Sequence, residues 1–369
     1  METAHPSLRV VVRRIHLWLG LTIGALFACA GLTGSALVFY PEIDAAFNSA
    51  LRAVPTGARP PSWQAVVDTL HREHPDRTAA WRIEVTGDGG AIPVRYYTPR
   101  ERAGRDFAPL LVWIDPVRLT TIRTSFWGDT LVTWLYDLHY RLLLEKPGGT
   151  AMGIAGIAML VLLVSGVWAW WPRARGVARA LRFKRDAGPI RRLYDWHKLT
   201  GLAGLTLLLV VTVTGVMLDL PDQTRPILAR FSALYVTPKR VVAPDGQTMP
   251  IDALVARAHR RFPGAALAWI ETPADTASPV RINLAQPGEP SRRFPRTNVW
   301  LNPHGGRIVA VRDGLAESGG DSVLNWLHPL HGGEAFGLAG RLLAFVAGLV
   351  PALLFATGVL RWARRRKRR

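Results

Sequence analysis

Cysteine is all but missing from this chain: Cys29 is the only one in 369 residues. It sits inside a long apolar run, so neither an intrachain disulfide nor a cysteine-ligated metal centre is available. Charge is missing in the same way from four stretches, Leu17–Tyr40, Ala151–Trp171, Leu199–Leu218 and Leu342–Leu360, none of which holds Asp, Glu, Lys or Arg. Each has roughly the 20 residues needed to cross a hydrocarbon core of about 30 Å as a helix. Spans without ionisable groups speak against proton-coupled transport. No phosphate-binding loop, dinucleotide fingerprint or HExxH zinc motif occurs. No small-residue cleavage site follows the first apolar run at once, and the run is too long for a signal peptide, so it reads as an uncleaved signal anchor.

What the chain has in excess is positive charge, +19 overall. Its placement rules against nucleic acid as a partner. Residues 1–16, 172–197 and 361–369, which border the spans, hold 3, 8 and 7 of the 46 lysines and arginines. Basic residues beside span ends mark the cytosolic side of a membrane protein, whereas a nucleic-acid surface interleaves them with aromatics on a folded face. The run Arg364 to Arg369 reads as a topology anchor that also touches anionic lipid. The predicted organisation is a cytosolic tail and first span (1–40), an external domain (41–149), a second span (150–171), a basic cytosolic loop (172–197), a third span (198–218), a second external domain (219–340), and a fourth span with a basic cytosolic tail (341–369). That is a lipid-bilayer protein of the bacterial inner-membrane type with both termini inside.

The two halves repeat. His16-Leu-Trp-Leu-Gly20 and His197-Lys-Leu-Thr-Gly201 open the first and third spans, and Thr33-Gly34 matches Thr214-Gly215 at the same offset of 181. Trp81 and Trp269 correspond, as do Trp113-Ile-Asp-Pro116 and Trp300-Leu-Asn-Pro303. Ahead of the second and fourth spans, Trp134-Leu-Tyr-Asp-Leu-His139 matches Trp326-Leu-His-Pro-Leu-His331, and Gly166-Val167 matches Gly358-Val359, both at an offset of 192. Order is kept with little drift, which marks a tandem duplication running in one direction. The fold class expected is an α-helical membrane protein of four spans with two periplasmic α+β domains. Each domain opens on a helix (Ser62–Glu73, Ile251–Arg261). In the first, strands follow at Trp81–Thr86, Val94–Thr98 and Leu110–Asp115.

The duplication also sorts the ten histidines. His16 and His197 fall at the cytosolic ends of the first and third spans, His139 and His331 ahead of the second and fourth on the outer side. A titratable ring at a membrane boundary inside a bundle is a functional-site candidate, and neutral imidazole is an axial ligand of haem iron. A pseudo-twofold axis would set His16 opposite His197 and His139 opposite His331, giving two layers that carry an electron across the membrane. His328, three residues before His331, is an alternative outer ligand, a hydrogen-bond partner or part of a substrate site; its repeat partner is Tyr136. Arg13, Arg14, Arg191 and Arg192 are candidate partners of haem propionates. His5, His71, His74, His259 and His304 read as packed or solvated.

Arg13-Arg14-Ile-His16-Leu-Trp-Leu-Gly20, Leu138-His139, Asp195-Trp-His197-Lys-Leu-Thr-Gly201 and Leu327-His-Pro-Leu-His331-Gly332 together resemble the PepSY-associated transmembrane helix family of bacterial membrane proteins. The external copies, with strands ending Trp113-Ile-Asp-Pro116 and Trp300-Leu-Asn-Pro303, are similar to PepSY domains. The resemblance covers nearly the whole chain. It implies a haem-dependent oxidoreductase with two b-type haems that reduces a periplasmic ferric siderophore or other oxidant in iron uptake. It also implies axial ligands at His16, His197, His139 and His331, and an acceptor site formed between the external domains over the outer haem. The cytosolic segments are too short to fold a flavin or nicotinamide domain, so electrons would come from a quinol or a cytosolic reductase. The alternative is a membrane-anchored PepSY binding or regulatory protein without redox chemistry.

Overall fold

The computed structural model describes residues 7–87, 89–172, 176–237, 242–243 and 246–367. His5 and, from the basic segments, Arg173, Arg175, Arg368 and Arg369 lie outside them. In chain order the helices are α1 (Leu8–Val38), α2 (Tyr40–Phe47), α3 (Ser49–Arg52), α4 (Trp63–Glu73), α5 (Leu131–Arg141), α6 (Glu145–Trp170), α7 (Val177–Ala180), α8 (Pro189–Asp219), α9 (Pro221–Ala229), α10 (Ile251–Arg261), α11 (Gly319–His331) and α12 (Gly337–Arg366). The strands are β1 (Trp81–Glu84), β2 (Ile92–Tyr96), β3 (Leu110–Asp115), β4 (Thr120–Phe126), β5 (Ala266–Glu271), β6 (Val280–Ala285), β7 (Thr297–Leu301) and β8 (Ile308–Arg312). These elements form two compact units: Met1–Phe39, Leu135–Thr224 and Leu327–Arg369 make one, and Tyr40–Trp134 and Arg225–Trp326 make the other.

The first unit is a bundle of α1, α6, α8 and α12, each long and apolar enough to cross a membrane. Neighbours around the bundle are α1–α12, α12–α8, α8–α6 and α6–α1, so α1 faces α8 across one diagonal and α6 faces α12 across the other. Its packing is inverted relative to a soluble bundle. In α6 the buried positions include Gly148, Gly149, Gly153, Ala155, Gly156 and Ser165, while Ile154, Ile157, Val161, Val164 and Trp168 are exposed at helical spacing. Small residues inside and large apolar ones outside suit helices that pack closely in lipid. The α1–α12 contact shows the reason for the small residues: a Cβ on Gly31 would run into the Gly348 carbonyl, and beside it Ser35 donates its hydroxyl to Phe345 O at 2.7 Å. α8 begins at Pro189, whose missing N–H costs nothing in the first turn. Between α5 and α6, Leu142, Leu143 and Glu145 all take positive φ, a conformation costly for side-chain-bearing residues. Gly333 and Gly337 take positive φ in the stretch between α11 and α12 without that cost.

The second unit holds one antiparallel eight-stranded sheet in the order β4-β3-β2-β1-β5-β6-β7-β8. Sequence reasoning delimited two external segments, and their strands enter a single sheet. The join is β1 against β5, with Ile83 opposite Ile270. Each would otherwise be an edge strand with unpaired backbone groups, and here Thr272 N–H donates to Trp81 O and Val85 N–H to Ala268 O, at 2.9 and 2.8 Å. One core gathers Val66 and Leu70 of α4, Leu254 and Ala258 of α10, and the inward side chains of the sheet. Leu70, Trp81, Ile83, Leu254 and Ile270 are all wholly buried, and full burial of such a side chain contributes about 1.5–3 kcal/mol.

The two covering helices cap one another. Asp252 accepts the backbone N–H of Trp63 and Gln64 at 2.9 and 3.0 Å, and Gln64 Oε1 accepts that of Ile251 at 2.9 Å. Each satisfies donors that a helix start leaves open. Asp252→Ala strips two acceptors from α4 and leaves it with Ser62 alone. A loss of about 1–2 kcal/mol is expected, read as a lowered thermal midpoint; an unchanged midpoint would show that solvent serves those amides equally well.

Candidate functional site

The bundle brings its four histidines together in two pairs. His16 on α1 and His197 on α8 have ring centres 6.2 Å apart, and His139 on α5 and His331 on α11 have theirs 6.1 Å apart. The planes within the pairs differ by 89° and 52°. Along α1, the first pair sits at His16 and the second at Thr33–Gly34, about 26 Å away at a rise of 1.5 Å per residue.

All four rings are held in the same way. His16 Nδ1 lies 3.1 Å from Leu162 O and 3.1 Å from Ser165 Oγ on α6. His197 Nδ1 lies 3.0 Å from Leu354 O and 3.1 Å from Thr357 Oγ1 on α12. His139 Nδ1 lies 2.9 Å from Ala30 O and 3.3 Å from Thr33 Oγ1 on α1. His331 Nδ1 lies 2.9 Å from Val211 O and 3.1 Å from Thr214 Oγ1 on α8. A carbonyl oxygen only accepts, so Nδ1 must carry the proton in each ring. Each hydroxyl donates to its own helix, Ser165 to Leu162 O, Thr357 to Leu353 O at 2.8 Å, Thr214 to Val210 O at 2.7 Å, and Thr33 between Cys29 O and Ala30 O at 3.0 Å each. Its lone pairs are thereby turned to the ring.

The residue after each hydroxyl is glycine, and each lies against the ring's Cε1. A Cβ placed on Gly34 would stand 2.7 Å from Cε1 of His139, on Gly166 2.9 Å from that of His16, on Gly215 3.1 Å from that of His331, and on Gly358 3.6 Å from that of His197. The motif is a carbonyl at i, Ser or Thr at i+3 and Gly at i+4 on the receiving helix. It fixes the tautomer with Nδ1 protonated and leaves Nε2 with its lone pair, the form in which imidazole binds a metal, and a hydrogen-bonded Nδ1–H makes that nitrogen more basic.

A metal bonds an imidazole nitrogen at about 2 Å, so two rings joined in line through one metal atom have centres about 6 Å apart. Both pairs fit that spacing. Among the described residues no cluster of three or more His, Cys, Asp or Glu could hold a bare metal ion. One free nitrogen from each of two neighbouring rings instead suits a metal whose remaining positions a macrocycle fills, as in haem.

The other candidates fall as follows. His328 is half-buried on α11, within electrostatic range of His331. Its repeat partner Tyr136 stacks edge-on with Tyr140 at 6.3 Å. Arg13, Arg14 and Arg192 are exposed. Arg191 Nε donates to Asp195 Oδ2 at 3.2 Å, and Arg13 lies near Arg361 of α12. His71 is exposed on α4, and His74 packs on Trp81 at 5.6 Å, where burial lowers its pKa. Sequence reasoning missed the supporting role of Ser165, Thr357, Thr33 and Thr214. The signal was present as the four Ser/Thr-Gly dipeptides placed on the spans at the repeat offsets.

Four apolar helices with small residues turned inward and large ones outward define a multi-span membrane protein, joined to a separate antiparallel sheet region. The PepSY-associated TM region matches residues 13–365, and the chain belongs to that family. It is also similar to an uncharacterized protein of Pseudomonas aeruginosa, 28% identical over 254 residues, which is 63% of this chain. The aligned part spans 63% of that relative's length.

Proposed function

We propose that the protein is a di-haem electron-transfer protein of a bacterial inner membrane, with both termini in the cytosol. It would pass electrons outward to reduce a periplasmic acceptor, most plainly a ferric siderophore, the substrate class that the family resemblance implies. The observation that carries this reading is the fourfold support of the histidines. A single buried histidine on a helix boundary is ordinary; four with Nδ1 tied down identically, each with a partner ring centred 6.1–6.2 Å away, are a ligand set. A tandem duplication accounts for the fourfold repetition, each half contributing one ring to each pair.

Iron porphyrin bound between each pair would supply one-electron chemistry at both ends of the bundle. The chain's own residues do the rest. His16, His197, His139 and His331 provide neutral nitrogen ligands. Leu162, Leu354, Ala30 and Val211 fix their tautomer through backbone carbonyls. Met159, Leu162, Leu163 and Leu208 make an apolar cluster in the bundle, which would help to keep solvent from an iron held by the neighbouring rings. One electron reduces one Fe(III) of the acceptor to Fe(II), which oxygen-donor chelators hold weakly. The electrons come from a membrane quinol or a cytosolic reductase.

Purified protein is expected to be red, with two haems per chain and a Soret band that shifts on dithionite. His16→Ala or His331→Ala should each lower the count from two to one. A colourless protein made with ample haem supply would overturn the proposal and leave an anchored binding protein. Retention of both haems in each variant would overturn the pairing.

A further inference from the structure

One helical turn from the His16–His197 pair, toward the basic end of the bundle, each of the four spans presents a polar side chain in matching register. Arg13 precedes His16 by three residues on α1, and Tyr194 precedes His197 by three on α8. Trp170 follows Gly166 by four on α6, and Arg361 follows Gly358 by three on α12. Residues three or four apart share a helix face, so all four continue the faces that carry the histidines and their supports.

This layer has buried donors without partners. Nε of Arg361 and Nε1 of Trp170 are both buried without a hydrogen-bond partner. They belong to α12 and α6, which oppose one another across the bundle. A buried N–H without an acceptor is costly, so two in one layer call for an acceptor from elsewhere. The Arg361 guanidinium lies 4.8 Å from the centre of the Tyr194 ring and within electrostatic range of Arg13, Arg191 and Arg365. The nearby carboxylate, Asp195, is already engaged by Lys198 Nζ at 2.7 Å, Arg191 Nε at 3.2 Å and the Lys184 N–H at 3.2 Å.

We propose that this layer receives two carboxylates: Arg361 and Trp170 Nε1, flanked by Arg13 and Tyr194, hold the propionates of the porphyrin seated between His16 and His197. The inference rests on the di-haem reading and adds an orientation to it, the acidic edge of the porphyrin pointing toward the basic end. Sequence reasoning assigned this role to Arg13, Arg14, Arg191 and Arg192. The structure assigns the principal part to Arg361, because its Nε, like Nε1 of Trp170, is buried without a partner, whereas Arg13, Arg14 and Arg192 are exposed and Arg191 is bonded to Asp195.

The test uses full-length protein carrying His331→Ala, in which the His16–His197 pair alone should bind. Haem transfer to an apo-globin acceptor is timed, and the midpoint potential is recorded. Arg361→Leu is expected to release haem about tenfold faster, the loss of one charge-assisted hydrogen bond, and to lower the potential by leaving a carboxylate uncompensated. Trp170→Phe, which keeps an aromatic ring and drops the N–H, should speed release by a smaller factor. Loading with haem dimethyl ester, which has no carboxylate, should make the parent and both variants equal. Release at the parent rate from both variants, or a difference that persists with the ester, would overturn the proposal and point to a lipid phosphate or a packing role. A colourless His331→Ala parent would instead refute the di-haem reading itself.

Discussion

Gly34→Ala is expected to cost the protein the haem held by His139 and His331, whereas Gly358→Ala, the same methyl beside the matching ring, should leave both haems in place. At position 34 the added Cβ would stand 2.7 Å from Cε1 and 3.3 Å from Nδ1 of His139. Something must move, and the ring has nowhere to go, since its Nδ1 is tied to Ala30 O and Thr33 Oγ1 on the same turn of α1. Relief comes by breaking those bonds or by pushing the ring out of line with His331, and overpacking of this kind costs about 1–3 kcal/mol. At position 358 the nearest ring atom is 3.6 Å away, an ordinary contact. Both changes gain the same helix propensity, about 1 kcal/mol, so the contrast isolates the contact. The measurement is haem per chain: one for Gly34→Ala and two for Gly358→Ala. Gly215→Ala, with its contact at 3.1 Å, should weaken binding by an intermediate amount. Equal counts for the 34 and 358 variants would mean that the glycines serve helix approach alone.

Much of this arrangement was legible in the sequence, and the reason is periodicity. Long uncharged runs permit little besides spans, and the offsets that relate His16 to His197 and His139 to His331 name pairs whose rings lie 6.2 and 6.1 Å apart. The helices at Ser62–Glu73 and Ile251–Arg261 and the first three strands were readable from residue pattern, the second strand lying two residues earlier than read, at Ile92–Tyr96. β4 was not, because Thr120–Phe126 alternates little and is half-exposed along most of its length. The merging of both strand sets into one sheet was not legible either, since the β1–β5 pairing joins residues nearly two hundred apart and leaves no local mark. The supports of the histidines lay between these cases. Thr33-Gly34 and Gly166 were visible as repeated dipeptides, but which ring rests on which helix depends on how the spans pack, and α1 turns out to present His16 at one end and receive His139 at the other.

The largest effect on stability is expected from Lys198. Asp195 lies in the segment read as a basic cytosolic loop and Lys198 opens the third span, and both are buried, with Nζ 2.7 Å from Oδ1. Asp195 also ties down the preceding loop through the Lys184 N–H, and Lys198 Nζ reaches Arg182 O at 3.4 Å. Lys198→Met removes the buried counter-charge and leaves Asp195 with Arg191, which is itself partly exposed. Breaking a buried pair on one side costs about 3–5 kcal/mol, while replacing both members with apolar residues of similar size is often neutral. The single variant should therefore unfold well below the parent in detergent, and Asp195→Leu with Lys198→Met should recover most of the loss. Because Lys198 adjoins His197, the single variant should also bind less haem at the His16–His197 pair and spare the other. A single variant as stable as the parent would show that the pair behaves as a surface bridge, worth about 0–1 kcal/mol, with water reaching the turn of α8 that carries His197.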